Sequence, residues 1–97
     1  MRFSWDSRKS EGNLVERGFD FEFATLIFEH PTLERLDGRR DYAERRILAV
    51  GIAQGIHLTV AYTDRDVLGQ DIERRIISAR RSNRRERKAY NEAVAGR

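Results

Sequence analysis

The chain has 97 residues, enough for one domain and too few for two separate hydrophobic cores. It holds no cysteine, which excludes a disulfide framework, a thiolate zinc site and a cysteine nucleophile. Charged residues make up 36% of the chain, and no apolar run approaches the roughly 18 residues that a membrane span needs. We therefore expect a single domain over residues 1–97 that acts in the reducing cytoplasm and does not enter a membrane.

The positive charge is concentrated at the C-terminal end of the chain. From Arg74 onward there are nine basic residues and two acids, Glu86 and Glu92, whereas residues 1–73 hold ten basic residues and fourteen acids. Of the 19 basic residues 17 are arginine, whose planar fork suits phosphate and carboxylate groups. A genome rich in G and C also raises arginine content, but it does not explain the clustering.

The order of apolar and polar residues predicts an α+β fold, with a small antiparallel sheet flanked by two N-terminal helices and one C-terminal helix. The predicted elements, in chain order, are a strand over Arg2–Trp5, helices over Ser7–Arg17 and Phe21–Glu29, a possible short strand over Leu33–Leu36, strands over Arg45–Ile52, His57–Thr63 and Ile72–Ala79, and a helix over Arg84–Ala95. Asp6, Asp20 and Asn83 precede the three helices as N-caps.

Connections between these elements are also indicated. Gly18 should end the first helix, and Gln54-Gly55 should form a tight hairpin turn. The segment Asp64–Asp71, rich in Asp, Arg and Gly, is predicted as a loop. Because side chains alternate along a strand, Arg74, Ile76 and Ser78 should face one way on the last strand, with their neighbours facing the other way.

Several kinds of active site have no pattern in this sequence. There is no Gly-rich phosphate loop and no nucleophile elbow. His30 and His57 are the only histidines, and neither has a second ligand at helical spacing. We therefore expect no metal and no cofactor.

The arginines remain as candidates for chemistry. Arg80 and Arg81 stand where the last strand passes to the last helix, and Arg84 and Lys88 share one face of that helix. Such a set can surround a phosphate, although a solvated charged helix is an equally simple interpretation. Metal-free RNA cleavage needs charge stabilisation on the phosphate, which arginines supply, and proton transfer. The side chains considered for proton transfer are Lys9, Glu86, Tyr90 and His57.

The residues resemble the BrnT toxins of bacterial type II toxin–antitoxin systems over nearly the whole chain. The matching motifs, in order, are Phe3-x-Trp5-Asp6-x-x-Lys9-x-x-x-Asn13, Gly18-Phe19-Asp20-Phe21 with Ala24, Glu44-x-Arg46 with Val50-Gly51, Leu58-x-Val60-x-Tyr62-Thr63-x-Arg65, Arg75-Ile76-Ile77-Ser78-Ala79-Arg80, and Glu86-Arg87-x-x-Tyr90. Each motif alone is weak, but six in the correct order are specific.

This resemblance implies a RelE-like fold and a metal-independent ribonuclease that arrests translation and growth. It implies a partner antitoxin of the ribbon-helix-helix type, through which alone the toxin meets DNA. The motif match makes Arg65, Arg75 and Arg80 the expected catalytic residues. The expected RNA contacts are Lys9, Arg81, Arg84, Arg87 and Tyr90. Two alternatives stay open: Arg75 could form a structural pair with an acid such as Glu73 or Glu44, and Tyr90, on the apolar stripe of the last helix, fits a core position equally well. Since Arg65 and Arg80 each end a strand, both should lie at one edge of the sheet.

One position departs from the family pattern, and two other functions stay open. The family usually has a histidine before Gly18, where this chain has Arg17. The same basic patch also fits a non-catalytic nucleic-acid-binding module or a surface that docks an acidic partner. Toxicity that one substitution, Arg80→Ala, removes would favour the ribonuclease over both.

Overall fold

The computed structural model describes residues 1–38, 44–69 and 71–95 of the chain. Its elements are, in chain order, β1 (Arg2–Trp5), α1 (Ser7–Arg17), α2 (Phe21–Ala24) continued by a 3-10 helix (Thr25–Glu29), β2 (Leu33–Leu36), β3 (Ile47–Ala53), β4 (Ile56–Val67), β5 (Asp71–Arg81), and α3 (Arg84–Tyr90) continued by a π-helical turn (Asn91–Ala95). The predicted α+β fold class is confirmed. The likeness to RelE toxins stays a prediction.

The three helices begin where the capping residues predict. Asp6 accepts hydrogen bonds from the amides of Arg8 and Lys9, and Asp20 accepts one from the amide of Phe23. Asn83 and Glu86 form a complete capping box at the start of α3. Gly18 ends α1 in the left-handed conformation (φ 87°), which a residue without a Cβ adopts at little cost.

A single five-stranded sheet, in the order β1-β5-β4-β3-β2, organises the molecule. The pairs β2–β3, β3–β4 and β4–β5 are antiparallel. The edge strand β1 runs parallel to β5. This parallel pair is the one departure from an antiparallel sheet. Gln54 and Gly55 both have positive φ angles (48° and 83°), as expected for the tight turn between β3 and β4.

The β4–β5 hairpin is longer than predicted, and the expected loop over Asp64–Asp71 is wrong. Asp64 pairs with Arg74 and Arg65 with Glu73 across the two strands, and the pairing continues to Val67 and Asp71 around the turn at Leu68 and Gly69. Arg74 Nε and Nη2 donate to the two carboxylate oxygens of Asp64 (2.8 and 2.9 Å). Complementary charges across the hairpin therefore extend a segment whose composition indicated a loop.

A β-bulge in β5 breaks the predicted alternation of side chains. Ala61 lies opposite Ser78, but the next residue, Tyr62, lies opposite Ile76, so that Ile77 is the additional residue. Ile76 therefore shares a face with Ala79, and both are buried (1% and 2% exposed). The expectation that Ile76 and Ser78 face the same way is wrong, because the bulge moves one residue out of register.

The hydrophobic core lies against one face of the sheet, which we call the core face and define by Leu58, Val60 and Tyr62 of β4. Phe21, Ala24 and Ile27 of the α2 region pack on this face. At one end of the core, the Arg74 guanidinium lies over the Tyr62 ring, 4.0 Å from its centroid. The opposite face, defined by Thr59, Ala61 and Thr63, we call the cleft face.

Close packing at Gly51 fixes the distance between the core face and the 3-10 helix. A Cβ at this position would lie 2.8 Å from Ile27 Cβ and 3.1 Å from Thr32 Cγ2. Real Cβ atoms do not approach other carbons so closely, so the absence of a side chain at Gly51 lets the helix lie directly on β3.

Candidate active site in a basic cleft

A cleft of about 560 Å³ lies between α1 and the sheet. Lys9, Asn13 and Arg17 follow each other at intervals of four residues, which places them on one face of α1, and all three line the cleft. The sheet contributes Arg46 and Arg80 together with the apolar and small side chains that form the floor. These include Leu48, Thr59, Ala61, Ile77 and Ser78. Glu16 and Asp37 also line the cleft, so its four basic and two acidic side chains leave an excess of two positive charges.

Arg80 is held in a defined orientation by Glu86. Its Nη1 and Nη2 donate to Glu86 Oε1 and Oε2 at 2.7 and 2.8 Å, a bidentate pair that joins β5 to the first turn of α3. Glu86 Oε1 also accepts from the Thr59 hydroxyl (3.0 Å) and the Asn83 amide (2.8 Å). The Glu86 side chain is 11% exposed and that of Arg80 37%. The carboxylate is thus mostly enclosed, while the guanidinium still reaches the cleft.

The hydrogen bond from Arg80 is the largest cause of a low pKa at Glu86, and the Asn83 and Thr59 hydrogen bonds add to it. They lower the pKa of Glu86 to about 2 against the opposing effect of burial. The group is therefore ionised at neutral pH and holds no proton to give. Its two carboxylate oxygens are engaged by the Arg80 guanidinium, whose orientation they fix.

The other residues considered for proton transfer differ in position. Lys9 lines the cleft and is exposed. His57 lies instead beside a second, smaller cavity of about 220 Å³, with its Nε2 3.1 Å from Asn91 Oδ1. Tyr90 is 5% exposed, donates to the Pro31 carbonyl (3.2 Å) and packs edge-to-face on His57. Of the four side chains, only Lys9 lines the cleft.

Burial also bears on the prediction that Tyr90 contacts RNA. A ring that is 95% enclosed and hydrogen-bonded to a backbone carbonyl is a core residue, so it has no surface with which to stack on a base. The motif match selected this tyrosine because of its position on the helix. The sequence already left a core position open, because Tyr90 belongs with Ala89, Ala93 and Val94 to the apolar stripe of the last helix.

Arg65 and Arg80 lie far apart, so the expectation that they meet at one edge of the sheet is wrong. Arg80 lies opposite Thr59 and Arg65 lies opposite Glu73, six residues further along β4. In an antiparallel hairpin, the ends of consecutive strands lie at opposite ends of the sheet, about 20 Å apart here. Arg75 is opposite Thr63 and lies between them on the cleft face, because the bulge brings Arg75 and Arg80 to the same side.

The remaining predicted RNA contacts surround the start of α3. Arg81 and Arg87 line the smaller cavity, and Arg87 Nη1 donates to the Ser82 carbonyl (2.7 Å). Arg84 is exposed on the first turn of α3. None of the three lines the larger cleft. The basic C-terminal block is thus divided between the cleft, which contains Arg80, and this separate surface.

Arg46 and Asn13 line the cleft but were not among the predicted site residues. Both occur in the motifs that carry the resemblance, which was the available signal. Arg46 Nε and Nη2 also donate to Glu44 Oε1 (3.3 and 3.2 Å). Residues two apart in an extended chain lie on the same side, so the sequence could have indicated this pair. Arg17, at the position where the family usually has histidine, lines the cleft as well.

Comparison with known families identifies the activity. A family model described as the ribonuclease toxin, BrnT, of type II toxin–antitoxin systems matches residues 5–86, which is most of the chain. The chain belongs to the BrnT family. The match covers α1, the whole sheet apart from the first residues of β1, and the start of α3 including Glu86. Membership in the family implies an RNA target and an antitoxin partner.

Two further findings describe the chain. A search of the curated proteins finds no match. Within residues 1–38, 44–69 and 71–95, no helix has the length and apolar character needed to cross a membrane, and no group of three or more His, Asp or Glu residues is arranged to hold a metal ion.

Proposed function

We propose that the cleft between α1 and the sheet is where this toxin cleaves RNA, without a metal, by attack of the RNA's own 2′-oxygen on the adjacent phosphorus. The observation that carries the proposal is Arg80, which Glu86 holds rigidly at a cleft that Lys9 lines from the opposite element. A fixed guanidinium stabilises charge on the phosphate without having to reorganise during the reaction.

The proposed reaction breaks one bond at phosphorus for each one formed. The 2′-oxygen forms a bond to phosphorus and gives its proton to solvent water, and the bond from phosphorus to the 5′-oxygen breaks as that oxygen gains a proton. The products are a 2′,3′-cyclic phosphate and a 5′-hydroxyl. We assign charge stabilisation to Arg80 and proton donation to the 5′-oxygen to Lys9, whose ammonium group carries three N–H donors.

The other predicted catalytic arginines have different parts in this proposal. Arg75 lies on the cleft face about 13 Å along the strands from Arg80 and binds the RNA chain beyond the reacting phosphate. Arg65 is about 20 Å from Arg80 and does not act on the same phosphate. Glu86 is a positioning residue, because it acts on the reaction only through Arg80. Arg81, Arg84 and Arg87 are proposed as contacts to RNA outside the cleft.

The experiment compares tight induction of the wild-type chain in a bacterial host with induction of Arg80→Ala and Arg85→Ala. Arg85 is an exposed arginine of α3 that lines neither cavity, so it controls for the loss of one positive charge. We expect growth arrest and fragmented RNA with the wild type and with Arg85→Ala, and neither with Arg80→Ala.

A measurement with purified protein tests the chemistry. Cleavage should persist in excess EDTA and leave 2′,3′-cyclic phosphate ends. Loss of cleavage in EDTA, or 3′-hydroxyl ends, would contradict the proposed mechanism. If all three chains bind RNA with equal affinity and cleave none, the protein is a nucleic-acid-binding module instead.

We further propose that the antitoxin is a ribbon-helix-helix protein and that the pair acts in the cytoplasm. In this proposal the free toxin arrests translation, and the toxin reaches DNA only as part of the complex with its antitoxin. Family membership and the excess of positive charge in the C-terminal block support the partner and the RNA target. Co-expression of the gene beside it should restore growth, and the purified complex should bind a DNA fragment that the toxin alone does not bind.

A further inference from the structure

A second cluster of arginines lies on the cleft face, at the end of the sheet away from Arg80. Arg2 of β1 and Arg65 of β4 stand directly on either side of Glu73 of β5, and Arg75 is two residues further along β5. Adjacent strands are about 4.8 Å apart, so Arg2 and Arg65 are separated by about 10 Å across the sheet. Arg2 and Arg65 are exposed, and Arg75 is half-buried.

Glu73 is the carboxylate that the strand register places directly between Arg2 and Arg65, and it is already engaged. Its Oε1 accepts a hydrogen bond of 2.6 Å from the Ser4 hydroxyl. This bond, followed by the charges of Arg65, Arg2 and Arg75, lowers the pKa of Glu73. The cluster therefore keeps an excess of two positive charges, from three arginines and one carboxylate.

Other nearby acids do not cancel this excess. Asp64 is paired with Arg74 on the core face, and Asp66 is adjacent to Arg65 in β4, so its side chain points to the opposite side of the sheet. Asp71, two residues before Glu73, lies 3.7 Å from the amino group of Met1. The cluster is thus a concentration of positive charge on the same face as the cleft.

We propose that Arg2, Arg65 and Arg75 form a second phosphate-binding subsite for single-stranded RNA, about 13–20 Å along the strands from Arg80. This inference rests on the proposed function of the cleft. The RNA would follow the strand direction over the cleft face, with one phosphate at Arg80 and another, several nucleotides away, between Arg65 and Arg75. The strands fix the backbone positions of these arginines, and the negative charge of Glu73 between them reduces their mutual repulsion when no RNA is bound.

Length dependence of binding tests the subsite directly. The probes are a dinucleotide and a decanucleotide in which 2′-O-methyl groups prevent attack at any phosphate. The double variant Arg2→Ala/Arg65→Ala is compared with Arg8→Ala/Arg85→Ala, which removes two exposed arginines that line neither cavity. Thermal melting checks that each variant folds.

We expect the Arg2→Ala/Arg65→Ala chain to bind the decanucleotide about tenfold more weakly, while its affinity for the dinucleotide changes less than twofold. The salt dependence should also fall, by about 1.4 in the slope of log Kd against log salt for two lost contacts to a single strand. The control double variant should lose less than half as much slope.

The outcomes separate this inference from the proposed function. Unchanged decanucleotide affinity in Arg2→Ala/Arg65→Ala overturns the subsite, even if Arg80→Ala abolishes cleavage. Weaker decanucleotide binding in a protein that cleaves no RNA supports the subsite and refutes the cleavage proposal. If the double variant loses affinity for the antitoxin and not for the decanucleotide, the cluster is a protein-docking surface and the subsite is wrong.

Discussion

Replacing Glu86 by glutamine tests how much the Arg80–Glu86 pair contributes to stability. The substitution keeps the size of the side chain and one acceptor oxygen, but removes the charge that Arg80 contacts with two hydrogen bonds. The pKa of Glu86 falls from its ordinary value of 4.5 to about 2, which corresponds to about 3 kcal/mol if the whole effect appears in folding. Because the Arg80 side chain is 37% exposed and solvent screens it, we expect a loss of about 2 kcal/mol.

The pH dependence has a definite sign. A carboxylate with a lowered pKa in the folded state stabilises the protein fully above its unfolded pKa, and this contribution is lost as the pH falls toward the folded value. Wild type and Glu86→Gln should therefore differ by a constant amount above about pH 5.5. The difference should shrink between pH 4.5 and about 2, the two pKa values of the group.

Denaturant unfolding at a series of pH values measures this difference, with Glu92→Gln as the matched control. Glu92 is an exposed carboxylate six residues further along the same helical segment. An equal loss at pH 3 and pH 7 would refute the electrostatic reasoning and indicate lost packing. The same loss in Glu92→Gln would show that net charge, and not the pair with Arg80, is responsible.

Three further substitutions test the packing of the fold. Gly51→Ala should lower the free energy of unfolding by about 1–3 kcal/mol, because its Cβ would meet Ile27 Cβ at 2.8 Å. Gly12→Ala, on an exposed part of α1 with nothing within 4 Å, should raise the free energy of unfolding by about 0.5–1 kcal/mol, and thermal melting compares the two variants. Equal effects would show that contact with the 3-10 helix is not the cause. Tyr90→Phe should cost about 1 kcal/mol, because it removes the hydrogen bond to the Pro31 carbonyl, and it should leave RNA affinity unchanged in a binding titration. Weaker RNA binding would contradict the assignment of Tyr90 to the core.

Local sequence signals predicted the elements of this fold well, because they act over a few residues. Asp6, Asp20 and Asn83 each accept the hydrogen bonds that their positions before a helix predict. Gln54 and Gly55 adopt the positive φ angles of a tight hairpin turn. Caps and turns depend on backbone groups two or three residues away, so the sequence contains all the partners that decide them.

The arrangement of the arginines could not be predicted in the same way, because it depends on pairing between strands. No residue type marks the bulge at Ile77, yet the bulge brings Arg75 to the face of Arg80 and moves Ile76 into the core. The Asp64–Asp71 segment was predicted as a loop on composition, whereas cross-strand pairs such as Asp64 with Arg74 keep it extended. The catalytic roles of these arginines thus stay a prediction, whereas the expected closeness of Arg65 and Arg80 is wrong.

The resemblance to the family leads us to expect a histidine where this chain has Arg17, and the position of Arg17 in the cleft limits what it does here. An arginine stays protonated in proteins, so Arg17 cannot exchange a proton with RNA and can act only as a charge. It stands in the last turn of α1, where a positive charge is favourable, and it lines the cleft with Lys9 and Arg80.

We therefore expect Arg17→Lys to keep most of the cleavage rate, because it keeps the positive charge. The cleavage rate of Arg17→His should be several-fold lower than that of the wild type at pH 8, and it should recover below about pH 6.5, where an imidazole gains its charge. The rate of cleavage of one RNA oligonucleotide across this pH range measures the effect, with wild type as the reference for changes at other groups. A rate for Arg17→His that rises above pH 7 would show that a neutral imidazole acts as a base at this position. In that case the wild-type chain would lack a proton acceptor that the histidine variant restores, and the role of Arg17 as a charge alone would be wrong.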